Sequence, residues 1–331
     1  MDTQILPVDG RSLELSKKII CEGGAVAFPT ETVYGLGANA LDTAAVENIF
    51  KIKGRPSDNP LIVHVHSGFD ISALVDYVPD YAKRLAEKFL PGPLTMVYKS
   101  KGKVSAAVSC GLETLAVRVP SHDSAQKFLK YVGLPIAAPS ANISKHVSPV
   151  TAEHVFADLN GRISVILDGG KCSGGIESTV LDCTGDIPVV LRSGLITRRM
   201  IAETVGDCGE YVMKEGEKAR SPGMKYKHYS PDCDTLLFSF EEREEAVAKY
   251  RALNGQGNNA YILCDDETFR LIGVEKVLNL GESAEEIASN LYLKLREGEK
   301  IAQTIIAIAP REQSGIMAGV MNRLAKACKG Q

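Results

Sequence analysis

The sequence predicts an α/β protein made of two domains and a linker. The chain has 331 residues, which exceeds the usual size of a single domain. Short apolar runs of strand length alternate with amphipathic segments of helix length. Several strands follow one another directly in the first part, which favours a mixed sheet, whereas strands and helices alternate regularly after residue 232. We therefore predict a mixed twisted sheet with flanking helices over 9–205, a linker over 206–232 and a smaller α/β domain over 233–331.

Composition excludes several other protein classes. Apolar residues make up 44% of the chain and charged residues 24%, which is ordinary for a globular protein. No apolar run approaches the roughly 20 residues of a membrane helix. The first twelve residues lack the basic and apolar regions of a signal peptide. Eight scattered cysteines with no C-x-x-C pair are typical of reduced thiols. We therefore expect a cytoplasmic protein without membrane partners.

The charge distribution bears on nucleic-acid binding. The first 230 residues hold 26 Lys and Arg against 25 Asp and Glu, and the remainder holds 12 against 16. Neither part has the strong positive excess of a dedicated nucleic-acid binder. At most a weak contact with RNA is expected.

The first elements follow from caps and apolar patterns. Ser12 is the expected N-cap of a helix over 13–22, and a buried strand follows at 25–28. Asp42 is the expected N-cap of the next helix, which ends before Gly54. Later strands are predicted at 61–65, 94–98, 114–120, 135–138, 165–168, 178–182 and 188–192, and helices at 79–90, from 124, and at 152–159. In the second domain, strands are predicted at 235–240, 260–264, 277–280 and 304–309, and helices at 241–252, 284–296 and 317–327.

The stretch AVAFPTETVYGLGANA, residues 25–40, is the most informative segment. Pro29 ends the buried strand, and the polar side chains of Thr30, Glu31, Thr32 and Tyr34 follow within six residues. A buried strand that opens into a polar, glycine-containing loop is typical of a ligand site in an α/β protein. An ordinary strand-to-loop turn, with hydroxyls that cap backbone groups, fits the same pattern.

Clustered cations indicate an anionic ligand. Lys51, Lys53 and Arg55 lie within five residues and suit a polyphosphate, although lysines are also favoured at any helix C-terminus. Arg118 lies inside an apolar strand, where its charge requires a partner. The carboxylate of a substrate is one candidate partner, and Glu113 or another acid is the structural alternative.

Polar residues also follow other strands. Ser140 and Asn142, Ser178 and Thr179, and Arg192 lie at or near strand ends, as expected around a cleft. His64 and His66 form a His-x-His pair, but no third ligand of matching type lies nearby, so a metal site is disfavoured. We expect His64 to face the ligand instead.

The linker is unusual for a spacer. Its segment RSPGMKYKHYSP combines basic and aromatic residues between two prolines, which suits a lid over an anionic ligand. No Ser–His–Asp order, nucleophile elbow or metal-ligand set is evident. This inventory suits a reaction in which the protein positions charges around a nucleophile that the substrate supplies.

Six motifs in order resemble the YrdC-like domain of threonylcarbamoyl-AMP synthases. They are FPTETVYGLGANA, KGRPSDNPLIVHV, FLPGPLTMVY, AVRVPSH, PIAAPSANIS and the pair ESTV and LRSG. The segment SPGMKYKHYSP and the C-terminal part resemble the longer, two-domain members. The resemblance implies a YrdC-like mixed sheet, a Rossmann-like C-terminal α/β domain, and formation of threonylcarbamoyl-adenylate and pyrophosphate from L-threonine, bicarbonate and ATP. It also implies Mg²⁺ held through the phosphates rather than by protein ligands, and downstream proteins that transfer the threonylcarbamoyl group to tRNA.

The resemblance assigns roles to individual residues. Lys53 and Arg55 take the catalytic positions of the family's Lys-x-Arg motif. The implied ATP-binding residues are Lys53, Arg55, Asn59, Thr114, Ser140, Asn142, Ser148, Arg192 and Tyr229. The implied threonine-binding residues are Thr32, His64, Arg118, Ala138 and Ser178.

One position departs from the family pattern, and two other functions remain open. Lys145 follows Ser144 where members often have glycine, which leaves the shape of the loop near Ser148 open.

An RNA-binding module is one alternative function, because YrdC-like domains have concave basic surfaces. Carbamoyl transfer of the hydrogenase-maturation type is the other, although this chain shows neither the acylphosphatase-like nor the zinc-finger part.

Overall fold

The structure is a computed structural model that describes residues 2–211 and 229–328. These residues form an eleven-stranded mixed sheet and a four-stranded parallel sheet, each flanked by helices. The predicted fold class is confirmed. Within the described ranges, every helix is too short or too polar to cross a bilayer. The basic and aromatic residues of the linker between 212 and 228 lie outside the described residues.

The larger sheet belongs to the N-terminal domain. Its spatial order is β1-β8-β2-β3-β7-β4-β6-β5-β9-β10-β11. The strands are β1 (Gln4–Pro7), β2 (Val26–Phe28), β3 (Gly35–Asn39), β4 (Ile62–His64), β5 (Leu94–Lys99), β6 (Thr114–Arg118), β7 (Ile136–Ala138), β8 (Val165–Asp168), β9 (Thr179–Asp182), β10 (Val189–Arg192) and β11 (Gly209–Glu210). The helices are α1 (Gly10–Cys21), α2 (Thr43–Lys53), α3 (Asp80–Phe89), α4 (Ala106–Ser109), α5 (Asp123–Val132), α6 (Ala152–Leu159) and α7 (Arg198–Val205).

The C-terminal domain is a smaller parallel α/β unit with the order β12-β15-β13-β14. Its strands are β12 (Asp234–Phe238), β13 (Ala260–Cys264), β14 (Val277–Asn279) and β15 (Thr304–Ile308). Its helices are α8 (Arg243–Gly255), α9 (Asp266–Ile272), α10 (Ala284–Ile301) and α11 (Ile316–Ala327). The short helices α4, α7 and α9 and the edge strands β1 and β11 were not predicted, because segments this short show only weak hydrophobic periodicity.

Local capping explains two helix starts. The N-cap of α1 is Asp9 and not Ser12, which was predicted wrongly. Asp9 and Ser12 instead form a reciprocal capping box, in which each side chain accepts from the other's backbone N–H. Asp42 caps α2 as predicted, and Gly54 ends that helix in the left-handed region with φ of 60°.

Part of the predicted polar loop is a strand. Residues 35–39 form β3, which pairs antiparallel with β2 in the register Val26↔Gly37 and Phe28↔Gly35. The loop is therefore the short 29–34 turn of a hairpin. A Cβ atom on Gly37 would lie 2.6 Å from Ile136 Cγ2 and 2.9 Å from Phe28 Cε1. The glycine is needed because β3 packs tightly against its neighbours.

The two domains share one packed interface. Residues of α10 and α11 belong to the same hydrophobic cluster as the N-terminal core. A Cβ atom on Gly175 would lie 2.4 Å from Ala288 O on α10, and one on Gly319 of α11 would lie 3.2 Å from Gly194 Cα. The backbone of the N-terminal domain therefore approaches both helices closely. Within the predicted linker range, β11 pairs with β10, and Ser230 forms a bridge with His146.

We predict that Gly37→Ala destabilises the chain by about 1–3 kcal/mol, because the added methyl group overpacks the contact with Ile136 and Phe28. Urea unfolding measures this change. Gly10→Ala is the matched control, since no atom lies within 4 Å of the position of its Cβ. Equal stability of the two variants would contradict the packing role of Gly37.

Candidate active site

Most of the predicted site residues line one cavity. It holds about 660 Å³ of space not filled by atoms and lies where strands of the larger sheet end. Predicted residues that line it are Thr32, Arg55, His64, Arg118, Ala138, Ser140, Asn142, Ser148, Ser178, Arg192 and Tyr229. The other three predicted residues, Lys53, Asn59 and Thr114, lie outside its lining.

Lys53 lies outside the cavity and contacts the backbone of residues that form its wall. Its side chain is buried, and Nζ donates to the carbonyl oxygens of Ser140 and Asn142 at 2.5 Å each. Ser140 Oγ in turn donates to Asn142 Oδ1 at 2.5 Å. Burial, and then the nearby Arg55, lowers the pKa of Lys53 well below its usual value. The geometry gives Lys53 the role of fixing the 140–142 turn.

Asn59 and Thr114 occupy different surroundings. The side-chain amide of Asn59 is buried, and neither its nitrogen nor its oxygen has a hydrogen-bond partner among the described residues. Its backbone oxygen accepts from Arg55 NH2 at 3.3 Å. Thr114 begins β6 and lies about 13 Å along the strand from Arg118, on the same face. Only a ligand that extends along β6 would contact both of these strand residues.

Arg118 is buried and pairs with an acid of the 29–34 turn. Its NH2 lies 2.8 Å from Glu31 Oε1, and the guanidinium is 4% exposed. The structural partner is therefore Glu31 and not Glu113. This contact between Arg118 and Glu31 is an ion pair whose angles do not meet those of a hydrogen bond. Within the described ranges, Nε and NH2 of Arg118 therefore have no hydrogen-bond partner. Donor groups on Arg118 are thus left for a second anion.

The 29–34 turn fixes its own hydroxyls. Thr30 Oγ1 donates to Val33 O at 2.6 Å and lies 2.9 Å from Thr32 Oγ1. Thr32 is fully buried and lines the cavity. Tyr34 Oη donates to Gly170 O at 2.9 Å, which ties β3 to the loop after β8. Thr32 is therefore held rigidly at the cavity wall.

His64 faces the cavity as a neutral ring. Burial, and then the charge of Arg118, lowers its pKa to about 3. Its Nδ1 lies 3.1 Å from Ile62 O, so Nδ1 carries the proton and Nε2 is an acceptor. His66 lies beyond the end of β4, where its Nδ1 contacts Ser67 O at 2.8 Å. The two rings do not form a joint site.

Ser178 and Arg192 are positioned together. Arg192 NH2 donates to Ser178 O at 3.0 Å and to Ser178 Oγ at 3.3 Å, and Nε donates to the same carbonyl at 3.2 Å. Thr95 Oγ1 lies 2.7 Å from Ser178 Oγ. Arg192 is 8% exposed. These contacts hold a second buried guanidinium at the cavity wall.

Glu177 also lines the cavity, although no role was predicted for it. Its carboxylate accepts from Ser148 Oγ at 2.7 Å and from Arg323 Nε at 3.1 Å. The only signal in the sequence is an acid directly before the hydroxyls of Ser178 and Thr179. That signal could not show that its partner comes from a helix about 150 residues later.

Lys145 keeps the conformation expected of glycine. Its φ is 76°, in the left-handed region that disfavours a side chain with a Cβ atom. The backbone N–H of Ser230 donates to Lys145 O at 3.0 Å. The loop before Ser148 therefore turns as a glycine loop would, although lysine occupies the position.

A network of charges joins the domains beside this loop. His146 Nδ1 lies 3.0 Å from Asp158 Oδ1, and Nε2 lies 3.0 Å from Glu299 Oε2. Arg296 of α10 donates to both oxygens of Asp158 at 2.8 Å. Burial alone would lower the pKa of His146, but the hydrogen bonds with Asp158 and Glu299 outweigh it and raise this pKa to about 9. The protonated ring of His146 therefore bonds to Asp158 of α6 and to Glu299 of α10, and so connects the two helices.

The same histidine belongs to the one group of potential metal ligands found among residues 2–211 and 229–328. The ligand atoms of His146, Asp232 and Glu299 lie within 4.8 Å of one another. Arg296 NH1 lies 3.5 Å from Glu299 Oε1. The nearby guanidinium and the imidazolium already balance the carboxylates, so the geometry describes an ion-pair network.

We predict that His146→Gln removes part of the pH dependence of stability. Because the folded pKa of about 9 exceeds the usual value near 6.5, the imidazolium stabilises the fold fully below pH 6.5. This stabilisation, of order 3 kcal/mol, is lost as the pH rises through 9. Urea unfolding at pH 6 and pH 9.5 measures it.

His66→Gln is the matched control for this experiment and should leave the pH dependence as in the wild type. The difference between the two variants isolates the contribution of His146. An unchanged slope for His146→Gln would contradict the network described here.

Comparisons with known proteins agree with this geometry. A family model for Sua5, YciO and YrdC, described as "Telomere recombination", matches residues 18–194. A second model, described as "Threonylcarbamoyl-AMP synthase, C-terminal domain", matches residues 196–328. The two models together cover both domains of the chain.

Similar proteins extend over nearly the whole chain. Threonylcarbamoyl-AMP synthase of Pyrococcus abyssi is 40% identical over 95% of this chain and 93% of its own length. The Bacillus subtilis enzyme of that name is also 40% identical, over 99% of this chain and 96% of its own. The crystal structure of P. abyssi Sua5 complexed with L-threonine matches with a TM-score of 0.88 and 38% identity, over 98% of this chain and 96% of that one. The chain therefore belongs to the Sua5/YrdC family of threonylcarbamoyl-AMP synthases, in its two-domain form.

Proposed function

We propose that this chain forms threonylcarbamoyl-AMP and pyrophosphate from L-threonine, bicarbonate and ATP. The observation that carries the proposal is the convergence of Arg55, Arg118 and Arg192 on one cavity. A small amino acid needs one guanidinium for its carboxylate, and a triphosphate needs several cations. Membership of the synthase family supports the same activity.

The threonine site is proposed around Arg118. Its unmatched donor atoms would bind the carboxylate of the amino acid, while Glu31 keeps the guanidinium in place. Thr32 and Ser178 offer hydroxyls for the polar groups of the substrate, and Nε2 of neutral His64 offers an acceptor. Ala138 contributes an apolar part of the wall.

The ATP site is proposed around Arg55 and Arg192. Arg55 is half-buried, and within residues 2–211 and 229–328 its NH2 makes only long contacts of 3.3 and 3.4 Å, with the carbonyls of Asn59 and Pro60. Its Nε is buried without a hydrogen-bond partner in the described part of the chain. Both guanidiniums are thus able to contact phosphates. The remaining proposed ATP contacts are Asn59, Thr114, Ser140, Asn142, Ser148 and Tyr229, with Lys53 holding the turn behind them.

The reaction needs little from the protein beyond position and charge. The amino group of threonine and bicarbonate give a carbamate and water, and a carbamate oxygen then attacks the α-phosphorus of ATP. The bond between the α-phosphorus and the bridging oxygen breaks, and pyrophosphate leaves with its electron pair. Arg55 and Arg192 would stabilise the charge that develops on the phosphates. Mg²⁺ enters with ATP as part of the substrate and is held by phosphate oxygens and water.

The product determines the partners that we propose. Threonylcarbamoyl-AMP is a mixed anhydride that water hydrolyses, so proteins that transfer its acyl group to tRNA must receive it soon after release. The near-neutral charge of the N-terminal domain supports no more than a weak direct contact with RNA. Eight free thiols fit a reducing compartment, and we place the reaction in the cytoplasm.

We predict that the full chain releases pyrophosphate from MgATP only when L-threonine and bicarbonate are both present. Release is measured with a coupled phosphate assay, and mass spectrometry identifies the adenylate. L-Alanine in place of L-threonine and a bicarbonate-depleted buffer are the controls. Pyrophosphate release that is independent of threonine would contradict the proposed function.

Two conservative variants separate the two substrate sites. We predict that Arg118→Lys raises KM for threonine at least tenfold and KM for ATP less than threefold, because lysine cannot bind a carboxylate bidentately. Arg55→Lys should show the reverse pattern. Arg199→Lys, at a residue with an 88% exposed side chain, is the control. Equal effects of Arg118→Lys on both KM values would contradict the assignment of Arg118.

A further inference from the structure

In the cavity wall, side chains of both domains contact the buried carboxylate of Glu177. Glu177 Oε1 accepts from Ser148 Oγ at 2.7 Å. Its other oxygen, Oε2, accepts from Tyr292 Oη of α10 at 3.0 Å and from Arg323 Nε of α11 at 3.1 Å. Glu177 is 8% exposed, and Tyr292 and Arg323 are fully buried. Among the described residues, the C-terminal domain thus supplies two of the three side chains that donate to this carboxylate.

Electrostatics keep Glu177 ionised. Burial alone would raise its pKa, but the charges of Arg323 and Arg192 outweigh burial and lower this pKa to about 2. Arg323 is itself fixed by backbone carbonyls, since NH1 donates to Ser193 O and Gly319 O and NH2 donates to Glu177 O. The carboxylate is therefore an acceptor in a fixed orientation.

The orientation of Glu177 decides what Ser148 can offer to a ligand. A hydroxyl has one proton, and the proton of Ser148 is committed to Glu177. Ser148 is fully buried in the wall of this cavity, so a ligand that reaches its oxygen would meet the lone pairs that the bond to Glu177 leaves free. Phosphates lack a proton to donate at neutral pH. The groups of ATP that fit Ser148 are the ribose hydroxyls and the amino group of adenine.

A second contact joins the same helix to the cavity. The ring of Tyr292 packs on the ring of Tyr229, with 5.3 Å between centroids and 31° between planes. Tyr229 is 5% exposed, adopts a φ of 71° and lines the cavity. The helix α10 thus contacts both Glu177 and Tyr229.

We propose that the C-terminal domain controls nucleotide affinity through Glu177, which Tyr292 and Arg323 orient so that Ser148 accepts a hydrogen bond from the nucleoside of ATP. Tyr292 and Arg323 are positioning residues in this scheme, and Ser148 determines specificity. The scheme rests on the proposed function, because it assumes that ATP binds in this cavity. It gives the second domain a defined task in nucleotide binding.

The test is a double-mutant cycle measured as the dissociation constant of ATP for the full chain. Tyr292→Phe removes one donor to Glu177 and keeps the ring, and we expect about fivefold weaker binding. Ser148→Ala should weaken binding about tenfold. The double variant should also bind about tenfold more weakly than the wild type, because the effect of Tyr292 passes through Ser148. Additive losses, near fiftyfold, would overturn the proposal.

Three further readouts exclude a merely structural role. The affinity for L-threonine and the melting temperature should change little in Tyr292→Phe. Tyr250→Phe, the same change in α8 of the same domain, should leave ATP affinity unaffected. A parallel loss of threonine affinity and melting temperature in Tyr292→Phe would show general destabilisation and would overturn the proposal.

Nucleotide analogues identify the group that Ser148 recognises. ITP lacks the adenine amino group, and dATP and 3′-deoxy-ATP each lack one ribose hydroxyl. We expect the wild type to bind one of these at least tenfold more weakly than ATP, and Ser148→Ala to lose that preference. Discrimination that persists in Ser148→Ala would overturn the acceptor role of Ser148. A wild type that binds no ATP would overturn the proposed function as well, whereas additive losses in an active enzyme would overturn only this inference.

Discussion

The burial of guanidinium charge at one cavity is the constraint on which the site depends. Arg118 and Arg192 are both less than a tenth exposed, and Arg55 is half-buried beside them. A buried charge is tolerated only when partners compensate it. Glu31 compensates Arg118, and the carbonyl of Ser178 with nearby Glu177 compensates Arg192. The buried donor atoms of Arg55 and Arg118 that have no hydrogen-bond partner among the described residues are those that an anionic ligand in this cavity would bind.

Both domains contribute to this compensation. Glu31 comes from the hairpin turn 29–34, and the following strand β3 pairs with β7 and packs tightly against it at Gly37. Glu177 belongs to the N-terminal domain, but its orientation depends on Tyr292 and Arg323 of the other domain. The second domain therefore packs behind the cavity wall and supports it, so it is not a separate module. The ion pair between Asp158 of α6 and Arg296 of α10 also joins the two domains.

The fold class and most residues that line the cavity could be predicted from the sequence. The contacts that orient the side chains of the cavity wall could not. Arg118 could be identified because a cation in an apolar strand needs a partner, yet only the structure shows that Glu31 is that partner. The contact of Lys53 with phosphate stays a prediction, and the structure adds that its amine donates to two backbone carbonyls, which a motif does not reveal. Glu177, Tyr292 and Arg323 form a cluster across about 150 residues of sequence, and no local pattern predicts such pairs. Lys145 kept a left-handed turn that its residue type disfavours.

The decisive experiment is a crystal structure of the full chain with L-threonine and a non-hydrolysable ATP analogue. We expect the threonine carboxylate within hydrogen-bond distance of the Arg118 guanidinium, with Arg55 and Arg192 on the phosphates of the nucleotide. Phosphates bound away from both of these arginines, or a threonine carboxylate that Arg118 does not contact, would contradict this expectation.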